Sequence, residues 1–240
     1  MDISIVIPVY KEREKIGDDI QAASKFLKEN NFSGEIIVVD DGSKDGTADK
    51  ARSFESSLPD AVTLQVINHK SHHGKGYAVR SGILKANGDY VMFADSGLCV
   101  PFDNVLTGLE LIRQGKCDIA TGSRKLTQTH IIIRQSMYRR ICSRLFHWFA
   151  VYFMHLPKHI SDSQCGFKIY SREAAEKLYS ECFTDGFTFD LDILLRAVKH
   201  GYNIKEFPIE WTCDKDTRLS PSRNVFRILS ELIKIKRGIK

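Results

Sequence analysis

Asp95 ends a short apolar run, Tyr90-Val91-Met92-Phe93-Ala94, and is followed by Ser96 and Gly97. An apolar stretch entered through the turn Asn87-Gly88-Asp89 reads as a buried strand. A carboxylate at the carboxyl end of such a strand stands where open α/β sheets bind ligands. It could meet a cation or a phosphate there, or it could simply cap the next turn. A second acidic end, Asp40-Asp41, follows Glu35-Ile36-Ile37-Val38-Val39. Gly74-Lys75-Gly76, with Arg80 a turn later, offers cations beside free backbone to a diphosphate. The alternative is a flexible loop ahead of a solvated helix face. The spacing is neither GxxxxGK[ST] nor a GxGxxG fingerprint after the first strand, which disfavours a simple NTPase or a dinucleotide enzyme. His72, His73, His130, His147, His155 and His159 form no zinc pattern and read as surface or core residues.

The elements that must position these groups alternate. Strands are expected over 3–9, 35–41, 62–67, 89–95 and 118–121. Helices are expected over 12–30, 48–54 and 77–86. The first helix carries the apolar stripe Ile16, Ile20, Ala23, Phe26 and Leu27. Strand and helix alternating through short connections predict a mostly parallel sheet covered on both faces. The 240 residues fit one large domain, or one with an appendage, and their net charge of +5 points mildly to an anionic partner. Six scattered cysteines without a CxxC pair suggest neither a disulfide ladder nor a zinc knuckle. No basic leader precedes the first strand and no apolar run is long enough to span a bilayer, so the expectation is a soluble or surface-bound chain.

Two later segments are basic and apolar together. Residues 130–156 hold Arg134, Arg139, Arg140 and Arg144, no acid, and many large apolar side chains. They read as one amphipathic helix ending before Pro157. It lies either in a membrane interface or, alternatively, on the core with a solvated basic face. From Arg218 to Lys240 a second basic amphipathic helix carries the single acid Glu231. The chain shows no recognised nucleic-acid module, so no nucleic-acid partner is expected.

Seven motifs in order, covering nearly the whole chain, resemble those of the family 2 inverting glycosyltransferases. They are 8–12 (Pro8-Val9-Tyr10-Lys11-Glu12), 38–47, 74–82, 121–124, 162–168, 187–190 and 207–211. Within that family the chain is similar to the branch acting on polyprenyl or dolichyl phosphates. The resemblance implies an α/β GT-A fold, Rossmann-like, with basic amphipathic helices in the C-terminal half. It implies a glycosyltransferase domain over 1–215, with a nucleotide-binding half at 1–98 and an acceptor half at 99–215, and a basic helix at 216–240. Pro8, Tyr10, Glu12 and Asp41 would hold base and ribose, and Lys75, Arg80, Ala94, Asp95 and Ser96 the rest of the nucleotide. Asp95, Arg124 and Asp190 would be catalytic, although Asp190 also reads as a helix-start acid. Arg139, Ser143 and Arg218 would bind the acceptor phosphate.

The pattern departs at one important place. The second acid of the family's Asp-x-Asp motif is Gly97, and the residue two further on is Cys99. Mg or Mn would then be held by Asp95 with phosphate oxygens, or Lys75, Arg80 or Arg124 would replace part of its charge, or the site is degenerate. Lys11 in place of the family's usual Asn is a lesser departure. The expected activity is sugar transfer with inversion, UDP-glucose favoured, to a polyprenyl or dolichyl phosphate. The enzyme would sit peripherally on the cytosolic face of a membrane, with an anionic surface and a membrane protein as further partners. A different acceptor in polysaccharide or envelope-glycan synthesis, or an impaired nucleotide-sugar-binding scaffold, are the alternatives.

Overall fold

A computed structural model describes residues 1–213 and 225–239. Ile3–Val9 (β1) and Gly34–Asp40 (β2) are buried along their full length, as near-continuous apolar strands of a parallel sheet must be. Between them Ile16–Glu29 (α1) buries the expected stripe. It starts later than the apolar pattern suggests, because Lys11 adopts φ 57° and the N–H of Lys15 closes a turn on the Glu12 carbonyl. Thr47–Arg52 (α2), Val62–Asn68 (β3), Lys75–Ile83 (α3), Tyr90–Ala94 (β4), Asn104–Arg113 (α4) and Ile119–Ser123 (β5) follow.

The chain then departs from the expected single helix over 130–156. His130–Ile133 (β6) pairs in parallel with Glu210–Thr212 (β9) as a two-stranded ribbon, and the helix Met137–Tyr152 (α5) starts only afterwards. Three successive isoleucines are stiff at χ1 and favour extended chain. Ser136 then caps the helix, its hydroxyl accepting from the Arg139 N–H. The last turn gives way to His155, at φ 61°, ahead of Pro157.

Phe167–Ser171 (β7), Arg172–Glu181 (α6), Phe189–Lys199 (α7), Ile204–Pro208 (β8) and Val225–Ile239 (α8) complete the described chain. The seven-stranded sheet runs β3-β2-β1-β4-β7-β5-β8. Six strands share one direction; β7 alone is reversed, inserted between β4 and β5. The α/β expectation holds in this mixed form, with helices on both faces. Alternate strand residues feed the two cores. Val6, Ile37, Phe93 and Tyr170 face the side of α3, α6 and α7, while Ile5, Ile36, Met92 and Ile169 face that of α1 and α4. The six cysteines are unpaired. Among the described residues no helix is long and apolar enough to cross a membrane.

Helix α3 lies close enough to the sheet that a Cβ on Gly82 would meet Val6 and come within 2.9 Å of Val39 Cγ2. Gly82→Ala is expected to destabilise the fold by about 1–3 kcal/mol. Urea unfolding should show a lower midpoint at an unchanged slope; an unchanged midpoint would mean the helix has room to spare.

Candidate active site

The strand ends of β1, β2 and β4 open on the same edge of the sheet. Asp95 follows β4 directly, and its N–H donates to the Gly166 carbonyl at 2.9 Å. Its carboxylate lies against Gly166, where any Cβ would collide with it. Lys75 opens α3 and places Nζ 2.5 Å from Asp95 Oδ1. The same Nζ sits over the rings of Phe93 and Phe189, 5.8 Å from each centroid. Burial pulls the Lys75 ammonium down, but the negative charges of Asp95 and Asp190 outweigh it and hold the group above its ordinary value. Lys75 is therefore a cation at neutral pH. Gly76 behind it touches the loop ahead of α7: a Cβ there would lie 2.7 Å from Phe189 Cβ and 2.9 Å from the Gly186 carbonyl.

A second ion pair lies beneath the first. Lys168 of β7, fully buried, donates to Asp190 Oδ1 and to the Cys165 carbonyl, each at 2.6 Å. Burial raises the Asp190 carboxyl, and Lys168 and Lys75 draw it partly back. Asp190 does stand in the first turn of α7, but Thr188 is the N-cap, and the Asp190 carboxylate is buried against Lys168. Exposure separates the acids. The Asp95 side chain is 38% accessible, against 3% for Asp41, 4% for Asp190 and 2% for Asp162.

Asp41 holds the histidine loop that leads into α3. It accepts from the N–H groups of His73 (2.9 Å) and Gly74 (2.7 Å), and its Oδ2 lies 2.8 Å from His72 Nδ1. The His72 ring stacks on Tyr10, centroids 4.1 Å apart. Tyr10, His72, Asp41, Gly74, Lys75 and Asp95 thus form one connected path along the edge. Pro8 is buried within β1, and the Glu12 N–H donates to Thr47 Oγ1 at 3.1 Å. Ala94 is buried, while Ser96 beside Asp95 is half-buried.

Other expected residues are committed elsewhere. Arg80 donates to Asp185 (2.7 Å) and to the Cys182 carbonyl (3.1 Å). Arg124 forms a two-pronged pair with Asp162, both bonds at 2.7 Å, and lies over Trp211. Burial would raise the Asp162 carboxyl, but the Arg124 guanidinium holds it well below the carboxylate range. Arg139 and Ser143 are half-buried on α5. Arg218 lies outside the described residues.

Asp19 was not anticipated. This buried carboxylate of α1 accepts from the Gly97 N–H at 2.9 Å and the Leu98 N–H at 3.1 Å. Burial pushes its carboxyl up to about 6; the two N–H groups lower it, and nearby Glu12 and Asp18 raise it. Both loop residues have positive φ, 86° at Gly97 and 49° at Leu98. Only the glycine hinted at this in the sequence.

A divalent cation would find one accessible carboxylate here, already opposed by Lys75. Among the described residues no group of three or more His, Cys, Asp or Glu side chains could hold a metal ion. The side chains therefore fit a cation shared with a bound diphosphate, through Asp95, and not a site complete in the protein alone.

The profile of the Glycosyl transferase family 2 matches residues 4–179. A dolichyl-phosphate beta-glucosyltransferase of Dictyostelium discoideum is 30% identical over 98% of this chain and 73% of its own length. One from Saccharomyces cerevisiae is 31% identical, over 98% and 74%. Among solved structures, glucosyl-3-phosphoglycerate synthase from Mycobacterium tuberculosis, in complex with Mn2+, UDP and glucosyl-3-phosphoglycerate, superposes with a TM-score of 0.72 at 18% identity, over 100% of this chain and 81% of that one. Mannosyl-3-phosphoglycerate synthase from Rubrobacter xylanophilus gives 0.71 at 17%, over 98% and 73%. At these identities the two structures speak to the fold, which is theirs.

Asp162 and Asp19 should act on stability with opposite sign. The folded-state value of Asp162 is depressed, so its contribution is complete above the ordinary 3.8 and is lost as pH falls through the folded value. Asp162→Asn strands Arg124 and should cost about 3 kcal/mol at neutral pH, the gap to wild type narrowing in acid. The folded-state value of Asp19 is raised, so stability falls as pH climbs from 3.8 to about 6. Asp19→Asn should flatten that slope. Urea melts carried from above about pH 6 to well below 3.8 check both signs: a gap to wild type that stays constant below 3.8 for Asp162→Asn, or between 3.8 and about 6 for Asp19→Asn, would contradict the assignment.

Proposed function

The chain belongs to glycosyl transferase family 2, and from that premise we propose that it moves a hexose from UDP-glucose, or another UDP-sugar, to a polyprenyl or dolichyl phosphate at a membrane surface. As a family member it is an enzyme, an inverting sugar transferase with a nucleotide-sugar donor. The observation that carries the donor reading is the partly exposed Asp95 paired with Lys75 at the carboxyl edge of the sheet.

The acceptor phosphate is already an anion at neutral pH, so it needs no general base. One of its oxygens forms a bond to the anomeric carbon as the bond from that carbon to the nucleoside diphosphate breaks. The diphosphate leaves with the electron pair, and the configuration inverts. The protein's part is alignment and charge stabilisation on the leaving group. Lys75 supplies a fixed cation beside the diphosphate, and the Lys168–Asp190 pair beneath keeps the surrounding charges balanced. Tyr10 would face the base, and Asp41, whose oxygens already accept from the His73 and Gly74 N–H groups, would hold the histidine loop beside it, with Pro8, Glu12, Ala94 and Ser96 around the nucleotide. Mg or Mn, when bound through Asp95 and phosphate oxygens, would add Lewis-acid stabilisation of the diphosphate. Arg124 and Arg80 act by holding their loops, given the partners they already have.

The acceptor reading rests on α5. Met137, Ile141, Leu145, Trp148 and Tyr152 recur every three or four residues and are all exposed. Arg140 and Arg144 are exposed on the same helix, while Arg139 and Ser143 are half-buried. Exposed apolar side chains beside cations suit a lipid chain below an anionic headgroup. Helix α8 adds exposed Leu229 and Ile233. The cytosolic face of a membrane would be the place of work.

A second reading keeps the enzyme and changes the acceptor. Two solved structures of the same fold belong to proteins named for 3-phosphoglycerate, and a small organic phosphate offers the same attacking oxygen.

Radiolabelled UDP-glucose offered to a polyprenyl phosphate in detergent, and separately to 3-phosphoglycerate, distinguishes the two. Transfer to the lipid with inverted configuration, reduced at least about 100-fold in Asp95→Ala, is expected. Transfer only to the soluble acceptor would favour the second reading, and a retained configuration would rule out direct displacement. Leu145→Asp, on the exposed stripe, should weaken sedimentation with anionic vesicles about tenfold or more while leaving Tm near that of wild type. Unchanged sedimentation would remove α5 from the membrane reading.

A further inference from the structure

The loop after β4 lacks a second acid, yet a carboxylate reaches its backbone from another element. Gly97 and Leu98 turn through the left-handed region at φ 86° and 49°. A leucine seldom adopts that conformation unless its surroundings impose it. Successive backbone N–H groups in such a turn make a concavity for an anion. Here the anion is Asp19 of α1: Gly97 N–H donates to both its oxygens, at 2.9 and 3.1 Å, and Leu98 N–H to one, at 3.1 Å. Asp19 is 1% exposed. The neighbouring Asp18, exposed in the same helical turn, can serve the positive end of α1 without being buried. Burying a charge that Glu12 and Asp18 repel works against folding above about pH 6. Helix stability alone therefore does not account for it.

We propose that Asp19 is a positioning residue for sugar transfer: it supplies from α1 the carboxylate the loop itself lacks, clamps the turn at residues 97 and 98, and so fixes the direction in which Asp95 meets the donor diphosphate. This rests on the reading of Asp95 as the donor-site acid. Asp95 is tied on one side, through its N–H to Gly166 and through Lys75. Asp19 ties the chain on the other side, two residues on. Without the clamp, the loop would be free to leave its left-handed turn, and Asp95 would lose its fixed bearing on the diphosphate.

The test uses the full chain and three proteins: wild type, Asp19→Ala and the isosteric Asp19→Asn, which keeps one acceptor oxygen. Amide exchange followed by NMR reads the turn with no donor present. Gly97 and Leu98 should be protected in wild type, exchange at least about tenfold faster in Asp19→Ala, and lie between in Asp19→Asn. With UDP-glucose as donor, KM for the donor should rise about tenfold in Asp19→Ala and recover partly in Asp19→Asn. A variant that merely folds poorly would lower the apparent kcat at an unchanged KM, and Asp19→Asn guards against loss of the fold in the alanine form. Equal exchange in all three proteins, or an unchanged donor KM on a loosened turn, overturns the positioning role alone. A wild type that binds and transfers no sugar overturns the functional reading, and this proposal with it.

Discussion

Buried charges must be paired, and that constraint organises the centre of this molecule. Asp95, Lys75, Asp190 and Lys168 alternate in sign from the sheet edge inward, with contacts of 2.5 Å at the outer pair and 2.6 Å at the inner. A lone buried ion costs several kcal/mol, so each member of the string is committed to its neighbours. Only the outermost acid keeps substantial exposure. The inner lysine comes from β7, whose register sets Lys168 opposite Phe93 of β4 on one side and Thr121 of β5 on the other. The reversed strand is therefore what delivers the innermost cation, and the Phe93 ring lies under both lysines.

Much of the first half was legible in the sequence. Strands β1 to β4 are short apolar runs bounded by turns, and their ends carry the acids because nothing apolar is needed where the sheet meets solvent. Asp95 could be placed from that logic alone. Its counter-ion could be suspected, because Lys75 sits between glycines that let the backbone approach. What the sequence concealed depends on partners far apart in the chain. Arg124 meets Asp162 across 38 residues, Asp19 meets Gly97 across 78, and Arg80 meets Asp185 across 105. Residue type and local spacing say that an arginine will find an anion, not whether that anion is a ligand or another part of the fold. Residues 130–156 are not one helix for a local reason: their charge and bulk suit an amphipathic helix, but three consecutive isoleucines are stiff at χ1 and hold the start of the segment extended.

The second half divides its surface more sharply than the first. Strand β6 and the outer face of α5 leave large apolar side chains in solvent, while the inner face packs Phe146, Phe149 and the buried Ala150 on the core. Helix α8 is tied down by Glu231, the only acid in its described span, which accepts from Thr188 Oγ1, and by Lys236, which donates to the Phe153 carbonyl at 3.1 Å. The loop carrying Thr188 is the one that packs over Gly76. One face of the chain is thus spent on internal order and the other left open.

The inserted strand also has a bearing on the order in which the molecule comes into being. The N-terminal strands can pair among themselves as the chain is made, but the bed on which Asp95 rests is Gly166, and the lysine that balances Asp190 is two residues beyond it. Closing so long a loop costs entropy before its contacts repay any of it. A nascent chain that has reached the end of β5 holds Asp95 and Lys75 but neither Gly166 nor Lys168. Strand β5 has no partner in the sheet until β7 pairs with it and with β4, so the edge that carries Asp95 is finished only as the sheet itself is closed.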